Sequence, residues 1–166
     1  MELLLILFVI FLAASCIYVL MQRKEKDDCS TNYVLRETLL SPAERSFFDT
    51  LKHSASEHYE IFGKVRIADV LMPKINLDHN SWRISFRKIS SKHFDYVLCN
   101  KQTLEIVAVI ALEDKSHGLR KTTDRDIFVQ NICRNSGLPL ICFDAKTDNQ
   151  IQSVRDKLLS SLNSTF

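Results

Sequence analysis

The feature that most limits how this chain can fold is the stretch 94–117, FDYVLCNKQTLEIVAVIALEDKSH. Residues 94–99 and 104–112 are rich in β-branched and aromatic side chains, and Asn100-Lys101-Gln102-Thr103 breaks them with a polar turn. The expectation is a β-hairpin. Asp95 lies within its first strand, and the second strand ends in Glu113, Asp114 and Lys115. Alternate residues of a strand share a face, so Ala111, Glu113 and, if the strand continues, Lys115 point one way, and Asp95 can face them across the hairpin. Two carboxylates and an ammonium converging at the end of an apolar hairpin suggest a site for a divalent cation and a phosphate. The same residues also fit a solvated strand end with an edge charge, because short acid-and-lysine patterns recur by chance.

A second constraint stands at the N-terminal end. Residues 3–21, LLLILFVIFLAASCIYVLM, form an almost unbroken apolar run of about the length that crosses a hydrocarbon core. Glu2 precedes it and Arg23, Lys24 and Lys26 follow it, which predicts one transmembrane helix with the C-terminal side in the cytoplasm. Ala13-Ala14-Ser15-Cys16 faintly resembles a bacterial lipoprotein processing site. The missing basic start and the apolar residues beyond Cys16 argue against that reading.

The predicted division is an anchor at 1–22, a linker at 23–39 and one domain at 40–166, which is an ordinary domain size. A net charge of +2 is too small to point to nucleic acid, so any basic surface must come from local clustering. The five cysteines show no CxxC or metal-ligand spacing, and reduced thiols are expected.

Within the domain, Ser41-Pro42-Ala43-Glu44 combines an N-cap serine, a proline at the first helical position and a glutamate three residues after the cap. Glu44 has two readings, a capping-box residue and a carboxylate leaning toward the acidic site. Residues 59–67 alternate as a strand, continued or closely followed by Ala68-Asp69-Val70-Leu71, and 72–80 reads as a loop. From Ser81 onward Trp82, Phe86 and Ile89 recur at helical spacing, with Arg83, Arg87, Lys88 and Lys92 on the other faces. That basic helix sits directly before Asp95, where it can meet phosphates, although a charged helix face is more often only solvated. Beyond the hairpin come a basic loop with His117 and Lys121, a helix over 124–136 stopped by Gly137, an apolar strand over 138–143 and a last helix over about 149–162.

This order predicts a mixed α/β layered fold. With carboxylates on the second and third strands it resembles the PD-(D/E)XK nuclease superfamily, whose restriction endonuclease-like core is αβββαβ, a mixed sheet flanked by helices. The words LSPAERSFF at 40–48, KVRIADV at 64–70, KHFDYVLC at 92–99 and DKSH at 114–117 together resemble the bacterial domain of unknown function 2726, whose members are commonly single-span membrane proteins. In that family the third-strand motif usually reads Ile-Glu-Leu-Asp-Asp-Lys-Ser-His, and here Ala111 stands where the glutamate is usual.

The resemblance implies a bacterial inner-membrane protein with a cytoplasmic nuclease-like domain that acts on or binds nucleic acid. It implies Mg²⁺ or Mn²⁺ held by Asp95, Glu113 and Asp114, catalysis by Asp95, Glu113 and Lys115, and phosphates met by Arg83, Arg87, Lys88, Lys92, His117, Lys121 and Arg125, with Glu44 in support. Ala111 removes a metal ligand that a methyl cannot replace. Either Glu113 has taken over that role, or the domain is a catalytically silent binding or interaction module.

Overall fold

The computed structural model describes residues 1–27, 33–55, 57–113, 124–144 and 147–163, without the side chains of residues 3, 20–27, 124 and 125. It divides into two units, Met1–Glu37 and Thr38–Phe166.

The first unit contains α1, Glu2–Asp27. Its side chains over positions 4–19 are all exposed. Among the described residues no helix is long and apolar enough to cross a membrane. The side chains described without a break, 4–19, fall short of the roughly 20 apolar residues a span requires. The expected single span over 3–21 is therefore not carried by the described residues.

The second unit runs α2 (Pro42–Ala55), β1 (Tyr59–Arg66), α3 (Ile67–Val70), α4 (His79–Ser90), β2 (His93–Asn100), β3 (Ile106–Glu113), α5 (Asp124–Ser136), β4 (Leu140–Asp144) and α6 (Ile151–Asn163). The four strands form one sheet in the order β1-β2-β3-β4. The pairs β1/β2 and β2/β3 are antiparallel, and β3/β4 is parallel because α5 carries the chain back between them.

Local chemistry sets the element ends. The capping box starting α2 is formed in both directions: the Ser41 N–H donates to Glu44 Oε2 at 2.8 Å and the Glu44 N–H to Ser41 Oγ at 3.4 Å. The basic helix starts two residues earlier than its apolar spacing indicates, since Asp78 caps it by accepting from the N–H groups of Asn80 and Ser81 at 3.0 and 3.1 Å. Instead of continuing β1, the chain makes the single turn α3, anchored where the Ile67 N–H donates to the Lys92 carbonyl at 2.8 Å. Gly137, at φ 70°, ends α5 in a Schellman motif, with Gly137 N–H on the Arg134 carbonyl and Leu138 N–H on the Cys133 carbonyl. The hairpin's second strand begins at Ile106 and not at 104, because Leu104 adopts φ 59° to close the turn.

The sheet is covered on both faces. On one, Tyr96, Leu98, Ala108, Ile110, Ile141 and Phe143 pack against Phe47 and Leu51 of α2 and Val154, Leu158 and Leu162 of α6. On the other, Val97, Cys99 and Val109 pack against Ile67, Ile89 of α4 and Cys133 of α5. The result is a mixed α/β fold of three layers.

Alternation fails where β1 and β2 pass Lys64 and Asp95. Phe94 packs with Val97 and Cys99, not with Tyr96 and Leu98, and Val65 packs on that second face while Tyr59 and Ile61 pack on the first. Both strands change face together. Gly63 pairs with Tyr96 and Val65 with Phe94, so the register sets Lys64 opposite Asp95 at the point of change, and Lys64 has φ 56°. A lysine in the left-handed region costs of order 1 kcal/mol and persists only where its surroundings fix it.

Candidate functional site

Three elements meet at that change of face. The Lys64 ammonium donates to Glu44 Oε1 of α2 and lies 3.5 Å from Asp95 Oδ1 of β2 and 3.5 Å from His93 Nε2. The side chains of all three charged residues are about one-fifth exposed, so the ion pairs are only partly screened by water. Asp95 Oδ2 accepts the Leu112 N–H of β3 at 2.9 Å, which ties the cluster to the second strand of the hairpin. The Tyr96 hydroxyl donates to the Glu44 carbonyl at 2.6 Å. Burial, and then the charges of Glu44 and Asp95, push the Tyr96 phenol well above its usual range, so it stays a donor.

Glu44 holds one oxygen in the capping box and the other on Lys64. Burial pushes its carboxyl up, but the hydrogen bonds from Lys64 and Ser41 together outweigh burial and hold it below the usual glutamate value.

Continuing the β2/β3 register from Tyr96↔Ile110 places Ala111 opposite Asp95. The Ala111 methyl thus stands across from the cluster. Glu113 does lie on the strand beside Asp95, as expected, but as the last residue of β3, paired with Asp144 of β4. It lies within hydrogen-bonding reach of Cys142, whose thiol burial, and then the Glu113 charge, push up to about 11.

Mg²⁺ takes near-octahedral oxygen ligands. The carboxylate oxygens of Asp95 and Glu44 face protein donors, a methyl stands opposite Asp95, and among the described residues no three His, Cys, Asp or Glu side chains group to hold a metal. The expected ligand set of Asp95, Glu113 and Asp114 is only partly among the described residues. Asp114, Lys115, His117 and Lys121 lie outside the described residues, and so does the side chain of Arg125 on α5.

Arg83, Arg87 and Lys88 are exposed on α4, and among the described residues none of the three joins an ion pair. Lys92 is turned inward: its ammonium donates to the Lys88 carbonyl at 2.8 Å and lies 5.6 Å from the centre of the Phe128 ring. An apolar groove beside α2, lined by Leu39, Leu40, Pro42, Phe48 and Ile61, has Arg45 as its charged member.

Two residues escaped the sequence reading of the site. Lys64 falls inside the predicted strand 59–67, and the signal that marks it is Gly63-Lys64, an interruption in an otherwise β-branched and aromatic strand. Trp82 shares the helical spacing of Phe86 and Ile89, yet 37 % of its surface is exposed.

No curated protein and no solved structure matches the chain. Residues 36–162 match the model of one family, described as a protein of unknown function, DUF2726, and the chain belongs to that family.

Proposed function

We propose that residues 38–166 form a PD-(D/E)XK-type domain that binds nucleic acid and is held on the cytoplasmic side of a membrane by α1. The observation that carries nucleic-acid binding is the exposed set Arg83, Arg87 and Lys88, on a helix that contains no acidic residue and directly precedes the strand bearing Asp95. Cations that, among the described residues, no acid neutralises suit a polyphosphate backbone. The nuclease kinship is supported by the α2–β1–β2–β3–α5–β4 order and by the acids on adjoining strands. Anchoring is supported by the apolar run 3–21, the exposure of α1 and the following Arg23, Lys24 and Lys26.

In this reading the chemistry has been replaced by structure. Lys64 supplies the positive charge between Glu44 and Asp95, and Ala111 has removed the facing ligand. A second reading, phosphodiester hydrolysis, is favoured by the retained Glu113-Asp114-Lys115-Ser116-His117 sequence after β3. There Asp95, Glu113 and Asp114 would hold Mg²⁺ or Mn²⁺, which supplies a polarised phosphate and an acidified water when bound. Lys115 would neutralise developing charge.

The deciding experiment uses the full chain in neutral detergent, as wild type, Ala111→Glu and Glu113→Ala. Binding and Mg²⁺- or Mn²⁺-dependent cleavage of labelled DNA and RNA are measured for each. Binding without cleavage by the wild type is the expected result, with Ala111→Glu gaining thermal stabilisation by Mn²⁺. Wild-type cleavage abolished by Glu113→Ala establishes hydrolysis instead, and absence of nucleic-acid binding defeats both readings.

A further inference from the structure

We infer that the exposed face of α4 takes single-stranded nucleic acid, with the Trp82 indole as a stacking platform for an unpaired base and Arg83 and Arg87 on the flanking phosphates. This rests on the nucleic-acid reading above and names its substrate class. Trp82 lies on Phe86 one turn later, ring centres 5.1 Å apart and planes 9° apart, while Ile89 at the far end of the same stripe is buried. The stripe therefore rises from the core toward solvent and ends in an aromatic ring braced from one side. Arg83 and Arg87 each follow an aromatic residue of the stack by one position, so they repeat along the helix at the same four-residue spacing. Aromatic rings interleaved with arginines are the combination that holds unpaired strands, since every base has a π-face and the backbone follows the cations.

Other occupants fit less well. A base paired in a duplex has both faces covered by its neighbours, so the indole would gain nothing from it. A phosphate at the helix N-terminus would compete with Asp78, whose carboxylate already accepts from Asn80 and Ser81. An anionic lipid surface suits a helix with a broad apolar face, whereas the apolar side of α4 turns into the core at Ile89.

Trp82 is the sole tryptophan, so its emission reports on the site directly. The full chain in neutral detergent is titrated with a twelve-nucleotide oligothymidine, an oligouridine of the same length, a duplex of the same length, and vesicles containing phosphatidylserine. The expected result is quenching by the single strands at concentrations at least about tenfold below the duplex, with affinity falling as salt rises. Trp82→Ala should weaken binding of a labelled single strand by roughly 5- to 100-fold, the effect of losing one base stack. Trp82→Phe should retain most of the affinity, which also controls for misfolding. Duplex binding equal to or tighter than single-strand binding, with unchanged emission, overturns this inference and leaves the nucleic-acid reading standing. No binding to any nucleic acid overturns both, and quenching by the vesicles alone assigns the face to lipid.

Discussion

The two charged regions of the domain solve opposite problems. At the β1/β2 change of face, Glu44, Lys64 and Asp95 are turned inward, and each carboxylate faces the lysine with one oxygen and a backbone N–H with the other. On α4, Arg83 and Arg87 point to solvent, and among the described residues no acid meets them. Charges satisfied within the protein stabilise the fold and have little left for a ligand, while charges left open contribute little to stability and can bind. Substitutions in the first region should therefore be read in stability, and those in the second in binding.

The largest effect is expected at Lys64. Replacing it with methionine leaves Glu44 and Asp95 together without their cation, at sites about one-fifth exposed. Breaking a fully buried pair costs about 3–5 kcal/mol and an exposed one about 0–1 kcal/mol. Lys64→Met should accordingly lower unfolding free energy by about 1–3 kcal/mol in urea denaturation, with nucleic-acid affinity unchanged. A loss under about 0.5 kcal/mol would mean that the cluster is not structural, and the contrast would fail.

Tyr96→Phe comes next, because it removes only the hydroxyl donated to the Glu44 carbonyl and keeps the buried ring that packs against Phe47 and Phe48. One neutral hydrogen bond is worth about 0.5–1.5 kcal/mol. A smaller loss in the same denaturation would show that the ring contacts, and not this bond, hold α2 to the sheet.

Much of this arrangement was legible in the residues. The hairpin, the capping box, the Gly137 stop and the order of elements follow from local rules about turns, caps and periodicity. The cluster was not. Alternation predicts faces only while φ stays in the β region, and a lysine at φ 56° carries no marker comparable to glycine or asparagine. Alternation puts Asp95 and Glu113 on one face but does not show the neighbours each meets, Lys64 for Asp95 and Cys142 for Glu113. Spacing does not count oxygens, so it does not show that Glu44 divides its two between the cap and Lys64.

A pH series sharpens the inward half of the comparison. The Glu44 carboxyl is held below its ordinary value of 4.5, so its contribution is fully present above that value and is lost as pH falls through the lower folded value. Glu44→Gln should therefore be less stable than wild type at neutral pH, and the gap should close below about pH 4.5. A gap that stays constant down to acid would mean that the Glu44 charge does not contribute to stability.

The smallest stability effect is expected at Arg87, where the comparison can be broken from the other side. Arg87 is exposed on α4 and, among the described residues, joins no ion pair, so its removal disturbs no buried group. Surface substitutions of this kind stay within about ±0.5 kcal/mol. If Arg87 meets a phosphate, Arg87→Ala should weaken binding to every sequence about equally and reduce the salt dependence by about one counterion. Together these results would give a variant as stable as wild type that binds less, the mirror image of Lys64→Met. An Arg87→Ala chain that loses stability and keeps its affinity would put Arg87 in the structural class with Lys64, and α4 would then be a solvated face and not an interface.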